Sequence, residues 1–387
     1  MTTILFFVYF LSALLFTSPA PPARVPSAVS NYAEVRTQER IAGRFDSLFT
    51  LLATQRGFNG NVLVSHNGKV VYKNAFGYSD LKRKTPLHLE SVFQLASVSK
   101  QFTSVAIMML HDAGKLDFSD TVQKFFPEFP YRHITIRDLL AHRSGLPNYM
   151  WFAGKYWKNK AELLSNTDVM EMLTKYMPKP EFTPDERYKY SNTGYAVLAS
   201  IVEKISGQTF GEFMEQRVFT PLGMHNTYVV NEDNHKIVQF HTIGHMKNRR
   251  PASDDYLSGV VGDKGIYSTV EDMFKWDLGL YTNDLVKQST LEEAFTPLSY
   301  DYKHDSEYGY GWRIERQDNG SKTIYHAGLW RGYNSLYVRR LEDKTSIIVL
   351  SNKINWSFRN FDNLLEIIDS TPVEVAASDG AQQHVTY

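Results

Sequence analysis

Ser97 and Lys100 stand three residues apart in SVFQLASVSKQFTSVAIMML (residues 91–110), where a helix-like apolar pattern begins. On a helix that spacing puts both side chains on one face, one turn apart. A serine hydroxyl beside an amine can support nucleophilic catalysis. A desolvated neutral lysine can take the hydroxyl proton, and a charged one can stabilise the alkoxide. A lysine one turn into a buried helix also needs a reason, because an unpaired buried ammonium is costly. The plain alternative is a helix-capping serine followed by a solvated lysine. The pattern alone does not choose, since Ser79 and Lys82 repeat it in a polar stretch where chance suffices.

Two further groups carry useful chemistry. In FTPDERYKYSNTGYAVLASIVEKISG, Tyr190 and Asn192 are two apart, directly before a helix with an apolar face. A phenol there can relay protons, and an amide can hold both a substrate carbonyl and a lysine. Tyr72 with Asn74 and Tyr281 with Asn283 share the spacing, but the first pair falls in a strand pattern and the second near a helix end. In KTIYHAGLWRGYNSLYV, a strand pattern reaches His326, Ala327 and Gly328. A glycine at a strand edge lets another backbone approach closely, and His326 would place a donor beside it.

The elements expected to position these residues come from both ends of the chain. Residues 37–55 put Ile41, Phe45, Leu48, Phe49 and Leu52 on one helical face. Two β-rich runs flank His66, Asn67 and Gly68, a hairpin signature. Residues 112–296 read as mainly helical with long loops. Strand patterns return in YGYGWRIE, KTIYHAG, YNSLYVRRL and TSIIVLSN, followed by an amphipathic helix near residues 360–369. The fold class expected is α+β, an α/β sandwich. An antiparallel sheet from the N- and C-terminal segments is flanked by helices (residues 37–111 and 297–370), with an inserted mainly helical part (residues 112–296).

Composition excludes several classes. Lys plus Arg equals Asp plus Glu at 42 each, and KNRR at residues 247–250 is too short to decide anything, so neither nucleic acid nor an anionic membrane is an expected partner. No cysteine occurs in the 387 residues, which removes disulfides, thiolate metal sites and a cysteine nucleophile. Residues 4–16 form an apolar run too short for a bilayer span of ~20 residues. Residues 1–20 are therefore expected to be an export signal, with an uncleaved anchor as the alternative. A linker (21–36) and a polar tail (371–387) bracket the domain at 37–370. An exported, periplasmic or extracellular location follows from that expectation.

The order Ser-x-x-Lys, Tyr-x-Asn, His-x-Gly resembles the motif set of the serine β-lactamases and penicillin-binding proteins, specifically the class C β-lactamase-like branch that includes D-amino acid peptidases and esterases. FNGNVLVSHNGKVVYKNAFGYSD, IRDLLAHRSGLPNY, TPLGMHNTY, GDKGIYSTVEDMFKW and YGYGWRI look familial too, so the resemblance runs from about residue 40 to residue 352. It implies a serine hydrolase with Ser97 as nucleophile, Lys100 as partner in proton transfer and Tyr190 as base or relay. Asn192 would hold the substrate amide and the lysine. The backbone N–H groups of Ser97 and Leu329, beside Gly328, would form the oxyanion hole. His326 would replace the usual third-motif lysine, steering Tyr190 or a substrate carboxylate. The implied substrate is a small molecule or peptide, cell-wall-derived peptides included, with no cofactor and no stable protein partner.

Two departures matter. A histidine is a poorer fixed cation than lysine at neutral pH, which weakens recognition of a β-lactam carboxylate and leaves esters and peptides open. Arg331 could supply a charge, though a solvated position is the simpler reading. Asp185 also stands where relatives carry glycine, and aspartate tolerates the backbone required. Among rivals, His241 and His245 have metal-helix spacing without the glutamate of H-E-x-x-H, and G-x-S-x-G is absent. His142 reads as a structural hydrogen-bonder. A penicillin-binding sensor that acylates without turnover is the alternative from another class.

Overall fold

The structure, a computed structural model, describes residues 28–231, 234, 241–316 and 321–372. The apolar run at residues 4–16 and nearly all of the polar tail lie outside the described residues. The compact body spans Gln38–Thr371, and the earlier residues of α1 belong to a second unit.

Thirteen strands are described: β1 Gly60–His66, β2 Lys69–Phe76, β3 Tyr78–Asp80, β4 Thr85–Pro86, β5 Phe93–Gln94, β6 Tyr228–Val229, β7 Ile266–Ser268, β8 Ser299–Asp301, β9 Ser306–Tyr308, β10 Arg313–Arg316, β11 Lys322–Trp330, β12 Tyr333–Arg340 and β13 Thr345–Ser351. Eight of them form one sheet in the order β2-β1-β13-β12-β11-β10-β9-β8. The N-terminal hairpin thus docks on the last strand, and the pairings are antiparallel. Asn67 and Gly68 take φ of 53° and 71°, the positive pair that a two-residue hairpin turn requires.

The helices are α1 Ala28–Gln55, α2 Ser99–Asp112, α3 Ile136–Leu140, α4 Tyr149–Tyr156, α5 Asn166–Tyr176, α6 Asn192–Ser206, α7 Phe210–Met214, α8 Thr220–Leu222, α9 Val270–Gly279, α10 Gln288–Ala294 and α11 Asp362–Asp369. Residues 28–36, expected as linker, are helical, because no proline follows Pro26 to stop the first helix extending backward.

Alternation along the strands divides two cores. Val62 and Val64 of β1, Leu336 and Val338 of β12, and Ile347 and Val349 of β13 face α1 and α11. Leu63, Tyr337, Ile348 and Leu350 face the larger helical core on the other side. With both faces covered, these strands read as nearly continuous apolar runs. At the centre of the large core lies α2, buried on nearly every face, with Phe102 stacked on Trp276 at 4.0 Å. α9, expected within the helical insertion, instead lies on the sheet. Its Asp277 pairs with Arg339 of β12 at 2.7 Å and accepts from Tyr337 at 2.6 Å, so the insertion closes before Val270.

Candidate active site

β5 leads the chain into a 3-10 turn, Ala96–Val98, immediately before α2. Ala96 takes φ 49°, a left-handed conformation that alanine seldom adopts, and this sharp turn leaves Ser97 half-buried while Val98, Ser99 and Lys100 are buried. Ser97 does not cap α2, whose N-cap residue is Val98 and makes no side-chain cap bond. The capping reading of the serine therefore fails.

Lys100 is fully buried in the first turn of α2. Its Nζ lies 3.3 Å from Ser97 Oγ, 2.8 Å from Asn192 Oδ1 and 2.8 Å from the Asp263 carbonyl. It also lies 4.8 Å from the centre of the Tyr190 ring. Burial pulls its pKa down to about 7; the Asp263 carboxylate opposes that shift and the Arg313 guanidinium adds to it. A neutral amine has two N–H groups and one lone pair. The two carbonyl oxygens account for both hydrogens, which leaves the lone pair for the Ser97 hydroxyl.

Tyr190 reaches the same place from the loop before α6. Burial pushes the phenol away from phenolate formation, an effect the Ser97 side chain opposes. Ser191, the N-cap of α6, gives its hydroxyl to the Leu146 carbonyl at 3.1 Å instead of capping the helix. Asn192 then opens the helix with Oδ1 on Lys100 and Nδ2 toward Met150 Sδ at 3.4 Å. Upstream, Asp185 holds φ 65° and pairs with Arg143, so aspartate does take the left-handed position.

The third motif approaches along β11. β10 pairs with β11 over residues 322–325, so, among the described residues, 326–330 have β12 on one side and no strand on the other. Gly328 lies against the turn that carries Ser97. A Cβ there would stand 2.3 Å from the Leu95 carbonyl oxygen, 2.3 Å from Ser335 Oγ and 3.0 Å from Ala96 Cβ. Only glycine permits that approach of β11 to the turn. The Leu329 side chain is exposed.

His326 lies near Tyr190, the ring centres 6.3 Å apart, but is buried. It is 1% exposed, with Nε2 3.2 Å from Tyr308 Oη and Nδ1 2.8 Å from the Ala327 carbonyl. Tyr308 Oη also lies 3.2 Å from His142 Nε2, and His142 Nδ1 faces the Ser191 N–H at 3.3 Å. These partners assign the hydrogens. Ser191 donates to His142 Nδ1, His142 Nε2–H donates to Tyr308, Tyr308 donates to His326 Nε2, and His326 Nδ1–H donates to Ala327. Both rings are neutral in that chain. Burial holds both histidines well below the ordinary imidazole pKa. His326 therefore offers no cation to a substrate and acts on the site through Tyr308 and His142, whose ring centre is 4.3 Å from that of Tyr190.

Several members of the site were not assigned roles from the sequence. Asp263, Lys264, Tyr308 and Arg313 fall in the stretches GDKGIYSTVEDMFKW and YGYGWRI, which look familial but carry no motif. Arg313 is buried and pairs with Asp301 at 2.7 Å. Arg331 pairs with Asp255 and stacks over Trp330, so it is not a free charge. Of α4, Tyr149 and Phe152 enter the core, Met150 meets Asn192, and Trp151 is 66% exposed. His241 and His245 turn to Tyr228 and Asn352.

The model of the family described as Beta-lactamase matches residues 45–368. The chain belongs to the Beta-lactamase family. It is a serine hydrolase of that family, with the mixed α/β fold its relatives share. Among Beta-lactamase relatives, Penicillin-binding protein 4* of Bacillus subtilis is 35% identical over 321 residues, covering 79% of this chain and 71% of that protein. A D-aminopeptidase of Cereibacter sphaeroides is 25% identical over 300 residues, covering 77% of this chain and 57% of the relative. The crystal structure of a penicillin binding protein from Bacillus halodurans superposes with a TM-score of 0.72 at 25% identity, covering 82% of this chain and 98% of that one.

Proposed function

We propose that the protein forms an acyl-enzyme on Ser97 and hydrolyses an amide or ester whose substrate needs no carboxylate-binding cation in the cleft. The observation that carries this reading is the Lys100 amine, which is desolvated, held by two carbonyl oxygens and aimed at Ser97 Oγ. Neutral Lys100 takes the Ser97 proton, directly or through Tyr190, as Oγ bonds to the substrate carbonyl carbon. The oxyanion meets the N–H groups of Ser97 and Leu329, stabilisation worth roughly 3–4 kcal/mol per donor in hydrolases. Tyr190, protonated in the free enzyme, passes its proton to the leaving amine or alkoxide as the C–N or C–O bond breaks, and regains one from the Lys100 ammonium. Water then attacks the acyl group by the same route, returning the proton to Ser97 and releasing the acid.

The substrate class rests on charge. His326 is neutral and turned inward, and Arg331 is paired with Asp255. This favours carboxamides, esters and peptides bound without a free carboxylate over β-lactams. The names of relatives, D-aminopeptidase and N-acetylmuramyl-L-alanine amidase, lie on that side. Export of the protein toward cell-wall peptide belongs to the same proposal and rests on the apolar run at residues 4–16.

The test is a panel of short-chain ester, D-amino acid amide, D-alanyl peptide with a free carboxylate, and cephalosporin, run against the wild type and Ser97→Ala. Turnover of ester or amide with the cephalosporin poorest is expected, along with complete loss in Ser97→Ala at unchanged melting temperature. Activity surviving in Ser97→Ala would refute the mechanism. A lasting penicillin adduct without turnover of any substrate would instead establish a sensor.

A further inference from the structure

Beneath Lys100 lies a second buried amine that the proposed reaction does not use. Lys264 Nζ donates to Tyr149 Oη at 2.7 Å and to the Val260 carbonyl at 2.9 Å, and lies 3.5 Å from Asp263 Oδ1. Tyr149 Oη in turn donates to Asp263 Oδ2 at 3.1 Å. The Lys264 and Asp263 side chains are 3% and 1% exposed. Lys264 also lies 4.9 Å from the centre of the Trp330 ring, at the end of β11. The residue whose carboxylate pairs with Lys264 is thus the same one whose carbonyl holds Lys100.

Two amines and one carboxylate share this dry volume. Two ammonium ions against a single carboxylate leave an excess positive charge, which is expensive in a low-dielectric interior and is relieved when one amine loses its proton. We propose that Lys264 is a positioning residue that keeps Lys100 unprotonated by holding the charge of Asp263 for itself. The ion pair, Lys264 Nζ 3.5 Å from Asp263 Oδ1, decides which amine keeps the proton. Lys264 is beside the carboxylate and Tyr149, whereas Lys100 faces only the Asp263 backbone.

The remaining neighbours agree in sign. Lys100 is faced by Ser97, Asn192, Tyr190 and Tyr195, and it feels the Arg313 guanidinium; His142 and His326 nearby are neutral. Lys264 is pulled down by burial only to about 8, with Asp263 opposing and Lys100 adding to the shift, and Asp254 also favours its charge.

This inference rests on the acyl-enzyme reading, and the pH profile of kcat/KM separates the two. Ser97→Ala tests the reading itself. Lys264→Met and Lys264→Gln test the inference, the latter keeping a hydrogen-bonding group near Tyr149. Without the second charge Lys100 gains Asp263 alone, so the acid limb moves up by about one pH unit, a roughly tenfold loss below the limb that is recovered at high pH. Asp263→Asn moves the limb down, and Lys264→Arg leaves it near the wild-type position. An equal fractional loss at every pH, with the limb unmoved in either neutral variant, would make Lys264 a packing residue and overturn the inference. If neither variant folds, lysine 15Nζ NMR of the wild type decides. Charged Lys264 beside neutral Lys100 above the limb is expected, and the reverse would overturn it.

Discussion

Lys100 and His326 reach low proton affinity by the same physical route and serve different ends. Both are buried, but Lys100 keeps a lone pair toward Ser97, while both nitrogens of His326 are engaged. His142 and His326 should therefore make the protein acid-sensitive. Their folded-state pKa values lie below the unfolded value of about 6.5, so just below that pH the unfolded chain binds protons the folded chain refuses. Stability is full above about 6.5 and declines as pH falls. Melting temperature is expected to drop between pH 7 and 5.5, with a shallower drop in His326→Gln; an equally steep drop in that variant would remove His326 as a cause. Tyr190→Phe should lower kcat by about a hundredfold at neutral pH, in the range typical of a lost proton-transfer group, with little change in melting temperature. An unchanged kcat would move the relay elsewhere. The sequence order of motifs singled out Ser97, Lys100, Tyr190 and Asn192, and the fold brings them together. That order could not show that the His326 ring turns inward, because that depends on Tyr308, eighteen residues away on another strand.

At the scale of elements, the site depends on how closely β11 lies against the turn that presents Ser97. Ala96 is held with positive φ, at a cost of roughly 1–2 kcal/mol relative to ordinary backbone, and the contact with Gly328 keeps it there. Gly328→Ala would force the strand off the turn. A loss of stability of about 1–3 kcal/mol is expected, with a much larger proportional loss of kcat than the melting shift explains. Near-normal kcat would mean that this approach does not set the oxyanion geometry. The hairpin at Asn67–Gly68 was readable because its turn chemistry is local. The position of α9 was not, since its amphipathic pattern is satisfied equally by a helical neighbour or by the sheet. The pairing of Asp277 with Arg339, sixty-two residues along the chain, decides between them.

Across the described body, one large continuous core packs the helices against the sheet. The eight strands of its main sheet come from the two ends of the chain, so strand patterns at both termini with helices in the middle foretold the antiparallel sheet. The buried cluster of Asp263, Lys264 and Tyr149 was not foretold, because Tyr149 stands 114 residues before Asp263 and no spacing links them. The measurement that bears most directly on the account is intact-protein and peptide mass spectrometry after rapid acid quench of the enzyme with an activated ester, from pH 5 to 9. An acyl adduct on Ser97 is expected, forming faster as pH rises through about 7, and absent in Lys100→Met. Turnover with no adduct at Ser97, or adduct formation unaffected by loss of the Lys100 amine, would contradict it.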